Sequence, residues 1–274
     1  MTELTYPLAG ELDLDHGDVD GVGGRSELTE LRTMIVRALR LSLRNVDGLI
    51  TALALPVMLM VMFVYFFGGA IHVGERYIDY VVPGVLLVCV GFGAGTTAVT
   101  VSNDLAGGIV DRFRSLDVRP RSLLAGHVVA SVLRNLASAA LAVAVAFAIG
   151  FSPSAGLGDW IAATGLLALF ILALSWLAAA IGVLMRSPEG AQGITFLISF
   201  LPYPSSAFVP ISTMPRWLQG FARHQPVTAV IDSVRALLSG HAPGSAAVAA
   251  VAWSVGIVVV SVVAAGVLFA RRAA

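Results

Sequence analysis

Lysine does not occur anywhere in this chain of 274 residues, so all 17 basic side chains are arginines. The phosphate-binding loop of nucleotide hydrolases ends in Lys followed by Ser or Thr. The glycine-rich "DGVGG" at 20–24 therefore cannot be that loop. Cysteine is almost as scarce: the single Cys89 lies in an apolar run, which excludes a disulfide framework and a cysteine-based metal site. Charged residues make up 12% of the chain and hydrophobic ones 57%, where a soluble domain carries roughly 25% charged residues. A chain so poor in charge is an integral membrane protein. No repeat of roughly 20–50 residues is visible, which excludes a solenoid.

Arginine is also missing from the first 24 residues, which hold Glu3, Glu11, Asp13, Asp15, Asp18 and Asp20 and no apolar core. A secretory leader needs a basic start and an apolar stretch, so residues 1–26 are read as a disordered acidic tail. Residues 27–45 place Glu30, Thr33, Arg37, Arg40 and Arg44 at steps of three and four, opposite Leu28, Leu31, Ile35 and Leu39. That period predicts an amphipathic helix lying flat on an anionic membrane surface.

Residues 46–272 form the membrane domain. A bilayer's hydrocarbon takes about 20 apolar residues per helix. Six runs qualify, at 48–71, 80–102, 123–150, 159–185, 190–212 and 246–270, which predicts an all-α polytopic fold. Pro56 would kink the first span. In the second, "GFGAG" sets small residues four apart at Gly91 and Gly95, so that a neighbouring helix can approach closely.

The fifth run is irregular. Gly190 to Leu201 is too short to cross, at about 1.5 Å per residue, and Pro202, Pro204, Pro210, Pro215 and Pro226 follow it. Irregular backbone at membrane depth is tolerated only inside protein or beside a cavity. The expectation is a broken fifth span, then a short helix dipping back from the outer surface, then a helix over 227–239 with Asp232 and Arg235 three apart.

Positive charge is retained in the cytoplasm. Arg25, Arg32, Arg37, Arg40, Arg44, Arg112, Arg114, Arg119, Arg121, Arg186, Arg271 and Arg272 fall on one side of the six spans, against Arg76, Arg216, Arg223 and Arg235 on the other. Both termini are therefore placed in the cytoplasm.

Two further stretches could carry chemistry. In the connection between spans two and three, Asp111, Arg112, Arg114 and Asp117 surround Ile109, Val110, Phe113 and Leu116, the pattern of a short amphipathic helix. It can rest on lipid headgroups or plug into a groove on a soluble partner. The third span carries His127, Ser131, Arg134, Asn135 and Ser138 on one helical face. An arginine near the bilayer centre costs about 2.5–3.5 kcal/mol on insertion scales, so Arg134 faces the bundle or a watery cavity. Its role is structural pairing or substrate passage.

Three segments together resemble the membrane subunits of type 2 ABC exporters, especially the daunorubicin-resistance-type drug-efflux permeases: "SLRNVDGLITALALPVMLMVMF", "NDLAGGIVDRFRSLDVRPRSLLAGHVVASVLRN" and "SSAFVPISTMPRWLQGFARHQPVTAVIDSVRALLSG". One departure is that Asp117 follows the "RSL" triplet where the family often has proline, which here is delayed to Pro120.

The resemblance implies a coupling helix formed by Asp111, Arg112, Phe113, Arg114, Ser115 and Leu116, docked on a cytoplasmic ABC ATPase subunit. It implies that Ser205, Phe208, Pro210, Trp217 and Phe221 line or cap the outer end of a translocation path, to which Arg134 and Asn135 are also candidates. With no lysine here, ATP and Mg belong to the partner subunit, and this chain has no catalytic or metal-ligating residue of its own. The remaining expected partners are a second copy or a sister permease, membrane lipid and a small amphipathic substrate, with no nucleic acid. The expected setting is a bacterial plasma membrane.

Three other readings stay open. An ion-coupled secondary transporter or channel usually keeps carboxylates within its spans, whereas Asp79, Asp104, Asp159, Glu189 and Asp232 fall at span ends or outside. An intramembrane enzyme would need a nucleophile beside a base, which only His127 and Ser131 offer. A purely structural or regulatory partner of an ATPase is the third.

Overall fold

The computed structural model describes residues 36, 54 and 57–273, apart from 72, 108–119 and 186. The acidic tail, the amphipathic segment 27–45, Pro56 and the coupling residues Asp111 to Leu116 lie outside the described residues. Every regular element among the described residues is helical. The order is α1 (Val57–Phe67), α2 (Tyr77–Ala106), α3 (Pro120–Ala148), α4 (Leu157–Leu184), α5 (Pro188–Ser199), α6 (Arg216–His224), α7 (Pro226–Leu238) and α8 (Gly244–Ala273). The end of α1, Met62–Phe67, is wound as a π-helix, and one 3₁₀ turn, Ile211–Thr213, precedes α6.

Among the described residues, four helices are long and apolar enough to cross a bilayer: α2, α3 over Leu123–Ala148, α4, and α8 over Gly244–Phe269. They match the second, third, fourth and sixth predicted spans. The fifth predicted span is interrupted: α5 stops at Ser199 and irregular turns carry the chain to Pro210.

Local chemistry sets several helix starts. The Asp159 carboxylate accepts from the Gly156 amide at 2.9 Å, so α4 begins with an acidic cap. The Ser187 hydroxyl accepts from the Gly190 amide at 3.2 Å, and Pro188 occupies the first turn of α5, where its missing N–H costs nothing. Gly150 (φ 103°) and Gly240 (φ 72°) make the reversals before α4 and α8, in a left-handed conformation that strains other residues. The α3–α4 turn is fastened to the start of α2: Arg76 donates to the Gly150 carbonyl at 3.1 Å, and Asp79 accepts from the Ser152 amide at 3.2 Å.

At the centre of the bundle, α4 packs against α2, α3, α7 and α8. Lipid tails are as apolar as the side chains, so close packing and interhelical hydrogen bonds hold such helices together. Small residues permit that closeness. A Cβ at Gly182 of α4 would stand 2.6 Å from the Ala98 carbonyl oxygen of α2. As the spacing predicts, Gly91 and Gly95 form a contact face: against them lie Ser199 and Thr195 of α5.

Helix α8 buries one stripe, Ala250, Ser254, Ser261, Ala265 and Phe269. Val248, Val255, Val259, Val260, Val263 and Val267 are left exposed. In water so large an apolar surface invites aggregation; against hydrocarbon it is the expected lipid face.

Candidate functional site

Among the described residues, two clusters gather buried polar side chains. The first surrounds the break after α5. Prolines in the segment remove donors, and any carbonyl left without a partner in an apolar setting costs several kcal/mol, by order of magnitude. Here alternate carbonyls are each capped by a side chain. Ser205 donates through Oγ to Pro202, Gln225 to Pro204, Arg235 to Ser206 at 2.6 Å, and the Tyr77 hydroxyl to Phe208 at 3.1 Å.

Arg235 is the hub of this arrangement. Its guanidinium also donates to Asp232 at 3.0 Å and to the Tyr80 carbonyl at 3.1 Å, and it lies 3.8 Å above the Tyr80 ring. Ser206 donates its hydroxyl to the same Asp232 oxygen. The break is thus tied to α7 and to the first turns of α2. Gly84 of α2 makes the approach possible, because a Cβ there would lie 2.6–2.8 Å from three atoms of Ala207.

Aromatic rings continue the contact sideways. Phe208 stacks on Phe63 of α1 with centroids 3.9 Å apart, and Tyr203 lies 5.5 Å from Phe208. Phe200 is 5.3 Å from Tyr203 and 4.9 Å from Phe196, which meets Phe92 of α2 edge-on at 6.4 Å.

The second cluster lies between α2, α3 and α4. The residues predicted to share a face of α3 do so, and all except Arg134, which is half-buried, are buried. Ser131 is the node: its hydroxyl lies 2.8 Å from that of Thr97 and 2.9 Å from that of Ser175. Asn135 donates to the Ser131 carbonyl at 2.9 Å. Arg134 donates to Thr97 at 3.1 Å and to the Gly93 carbonyl at 3.4 Å. A Cβ at position 93 would collide with the Asn135 amide, so any other residue there requires Asn135 to shift.

His127 turns away from Ser131. Its Nε2 lies 3.0 Å from Asp104 Oδ2, with both side chains largely buried. The base and nucleophile of an intramembrane hydrolase are therefore not in contact. Asp104 also sits in the last turn of α2 rather than in the connecting loop where the span limits put it.

Of the residues predicted for the path, Ser205 and Phe208 fall in the first cluster, with Pro210 at its edge, and Arg134 and Asn135 fall in the second. Trp217 (79% exposed) and Phe221 (53% exposed) project from α6 and join neither. Asp232 and Arg235 were legible as a pair three apart. Tyr77, Tyr80 and Gln225 were missed, and no periodicity marks a side chain whose partner is a carbonyl in another element.

Among the described residues, none covers a strip of α2 between its contacts with α5 and α3. Thr96 and Asn103 are exposed on it, with Phe92 and Thr100 half-buried. Gln192, Phe196 and Phe200 are exposed along the α5 side. This face carries Thr96 and Thr100 along the helix and Asn103 in its last turn, unlike the aliphatic face of α8.

Long apolar helices around internal polar clusters, with an interrupted helix tied down by side chains, define a multi-spanning helical membrane protein. The profile of the ABC-2 type transporter family matches residues 29–239, and the chain belongs to that family. It is 28% identical over 242 residues to the daunorubicin resistance ABC transporter permease protein DrrB1 of Streptomyces coeruleorubidus, covering 88% of this chain and 86% of that one. It is 24% identical over 225 residues to the "Probable doxorubicin resistance ABC transporter permease protein DrrC" of Mycobacterium tuberculosis, covering 80% of each.

Proposed function

We propose that this chain is the permease half of an ATP-driven exporter that moves an amphipathic or hydrophobic compound, whether drug, antibiotic or lipid, out of a bacterial cell. What carries the reading is the near-full-length similarity to permeases named for resistance to two such drugs. ATP and Mg are assigned to a separate ATPase subunit, because a chain without lysine lacks the residue that grips the phosphates.

The assembled pump holds two permeases, this chain with a second copy or with a sister chain. Six spans keep both termini in the cytoplasm, as the arginine distribution favours. Asp111 to Leu116 dock on the ATPase. The break and the short helices α6 and α7 then sit at the outer end of the path, with Ser205, Phe208, Pro210, Trp217 and Phe221 at its rim.

The two faces of the bundle support this division. The valine face of α8 suits lipid. Polar side chains at membrane depth face protein or water, so the strip of α2 bearing Thr96 and Asn103 is turned toward the partner permease and the path. ATP closes the paired ATPases, the coupling helices move with them, and the two bundles expose the path outward.

The test is a pull-down of the tagged permease co-expressed with the ATPase encoded beside its gene. Recovery of the ATPase with the native chain, and its loss with Arg112→Glu plus Phe113→Ala, supports the two-part pump. A native chain that retains no ATPase in any detergent removes its motor.

A further inference from the structure

Helices α2 and α3 run antiparallel, and their polar side chains meet in successive rungs. Nearest the segment 108–119, His127 Nε2 lies 3.0 Å from Asp104 Oδ2. Next, the Ser131 and Thr97 hydroxyls are 2.8 Å apart, and Arg134 then reaches Thr97 at 3.1 Å and the Gly93 carbonyl at 3.4 Å. Each advance along α3 is a retreat along α2, so the rungs set one register between the two helices. The middle rung extends to α4, because the Ser131 hydroxyl is also 2.9 Å from that of Ser175.

Stability alone does not explain the first rung. The His127 side chain is 5% exposed and that of Asp104 13%. Taking such groups out of water costs about as much as their attraction returns, and two well-packed apolar side chains of similar volume would hold the helices as firmly. What a buried polar pair adds is register, since it fixes which residue of one helix meets which of the other. The placement gives that register a use. Asp104 is in the last turn of α2 and His127 lies about two turns into α3. The predicted coupling residues Asp111 to Leu116 fall between them in the chain.

We propose that Asp104 and His127 are positioning residues for energy coupling. The pair holds the two ends of the coupling segment in fixed register, so that a push on Asp111 to Leu116 moves α2 and α3 together and passes along the rungs to α4. Without it, either end shifts alone, and ATP is hydrolysed while the bundle stays still. The proposal rests on the reading above that Asp111 to Leu116 dock on an ATPase. Neither residue is asked to touch cargo or nucleotide.

The experiment uses the full-length permease captured with its neighbouring ATPase and reconstituted in liposomes, at a temperature below the melting onset of every variant. Cargo moved per ATP hydrolysed is read with three fluorescent probes: doxorubicin, Hoechst 33342 and a dansyl-labelled phospholipid. Asp104→Ala plus His127→Leu, which roughly conserves volume, is expected to melt like the native chain and to keep its ATPase, but to move about fivefold less cargo per ATP, or less still. The exchanged pair, Asp104→His plus His127→Asp, should recover most of that ratio. A native ratio in the apolar variant overturns the proposal, and so does an exchanged pair that stays uncoupled. A melting temperature well below native in the apolar variant overturns it too, because the rung would then be structural. Loss of the ATPase from that variant does the same, since the pair would then shape the docking surface rather than transmit through it. If the native chain retains no ATPase, or moves none of the three probes, the exporter reading falls and takes this inference with it. Failure of the variants alone leaves the exporter reading standing.

Discussion

Arg235 of α7 donates to the carbonyl oxygen of Ser206 at 2.6 Å, in a stretch of backbone that no helix supports. A helix satisfies its own backbone; an interruption between apolar helices needs partners from elsewhere in the chain. Pro202 and Pro204 create the need, and Tyr77, Gln225 and Arg235 meet it from α2, from the residue before α7, and from α7 itself. The break is therefore tied to α7 and the start of α2 as one hydrogen-bonded unit.

Removing the hub should loosen that unit. Arg235→Ala leaves the Ser206 carbonyl, which no helix supports, short of a donor, and is expected to cost about 1–3 kcal/mol, read as a lower melting temperature of the detergent-solubilised protein. The Asp232 side chain is 40% exposed, so most of that loss comes from the carbonyl rather than the ion pair. Tyr77→Phe removes one donor and should cost less, about 0.5–2 kcal/mol. A melting temperature unchanged in Arg235→Ala would mean that the caps carry no weight.

Glycines at the tight crossings make a second prediction. Gly84→Ala and Gly182→Ala each drive a methyl group into backbone of a neighbouring element, Ala207 in one case and Ala98 in the other. Each should destabilise by about 1–3 kcal/mol, the usual range for overpacking. Gly165→Ala, where a Cβ meets open space, should leave the melting temperature unchanged or raise it slightly. Equal effects at all three positions would show that these contacts are not limiting.

Asp104 and His127 offer a third. They lie at opposite ends of the segment 108–119 and meet at 3.0 Å. Asp104→Asn and His127→Gln should each destabilise, and the double variant should lose less than the sum, with a coupling of about 0.5–2 kcal/mol. Strict additivity would show that the two side chains do not act as a pair.

How much of this could be read beforehand follows from the range of the interactions. The second, third, fourth and sixth spans, the contact face at Gly91 and Gly95, the shared face from His127 to Ser138 and the spacing of Asp232 and Arg235 all depend on local apolar runs or helical periodicity. A short helix after Pro215 was also legible, because a proline suits a helix start. The pairing of His127 with Asp104 depends on how α2 and α3 align. The capping of Pro204 by Gln225 and of Phe208 by Tyr77 depends on where a non-helical segment comes to rest. Neither leaves a repeat in the sequence. The π-helical winding of Met62–Phe67 likewise has no signal in a run that reads as uniformly apolar.

In the proposed pump, export is driven by ATP hydrolysed on a separate chain. Its most direct test is transport into inverted membrane vesicles holding this permease and the neighbouring ATPase, with a fluorescent amphiphile as cargo. Accumulation is expected to need ATP, to persist when a protonophore collapses the proton gradient, and to disappear when the phosphate-gripping lysine of the ATPase is replaced. Accumulation driven by a proton or sodium gradient in vesicles that lack the ATPase would contradict it.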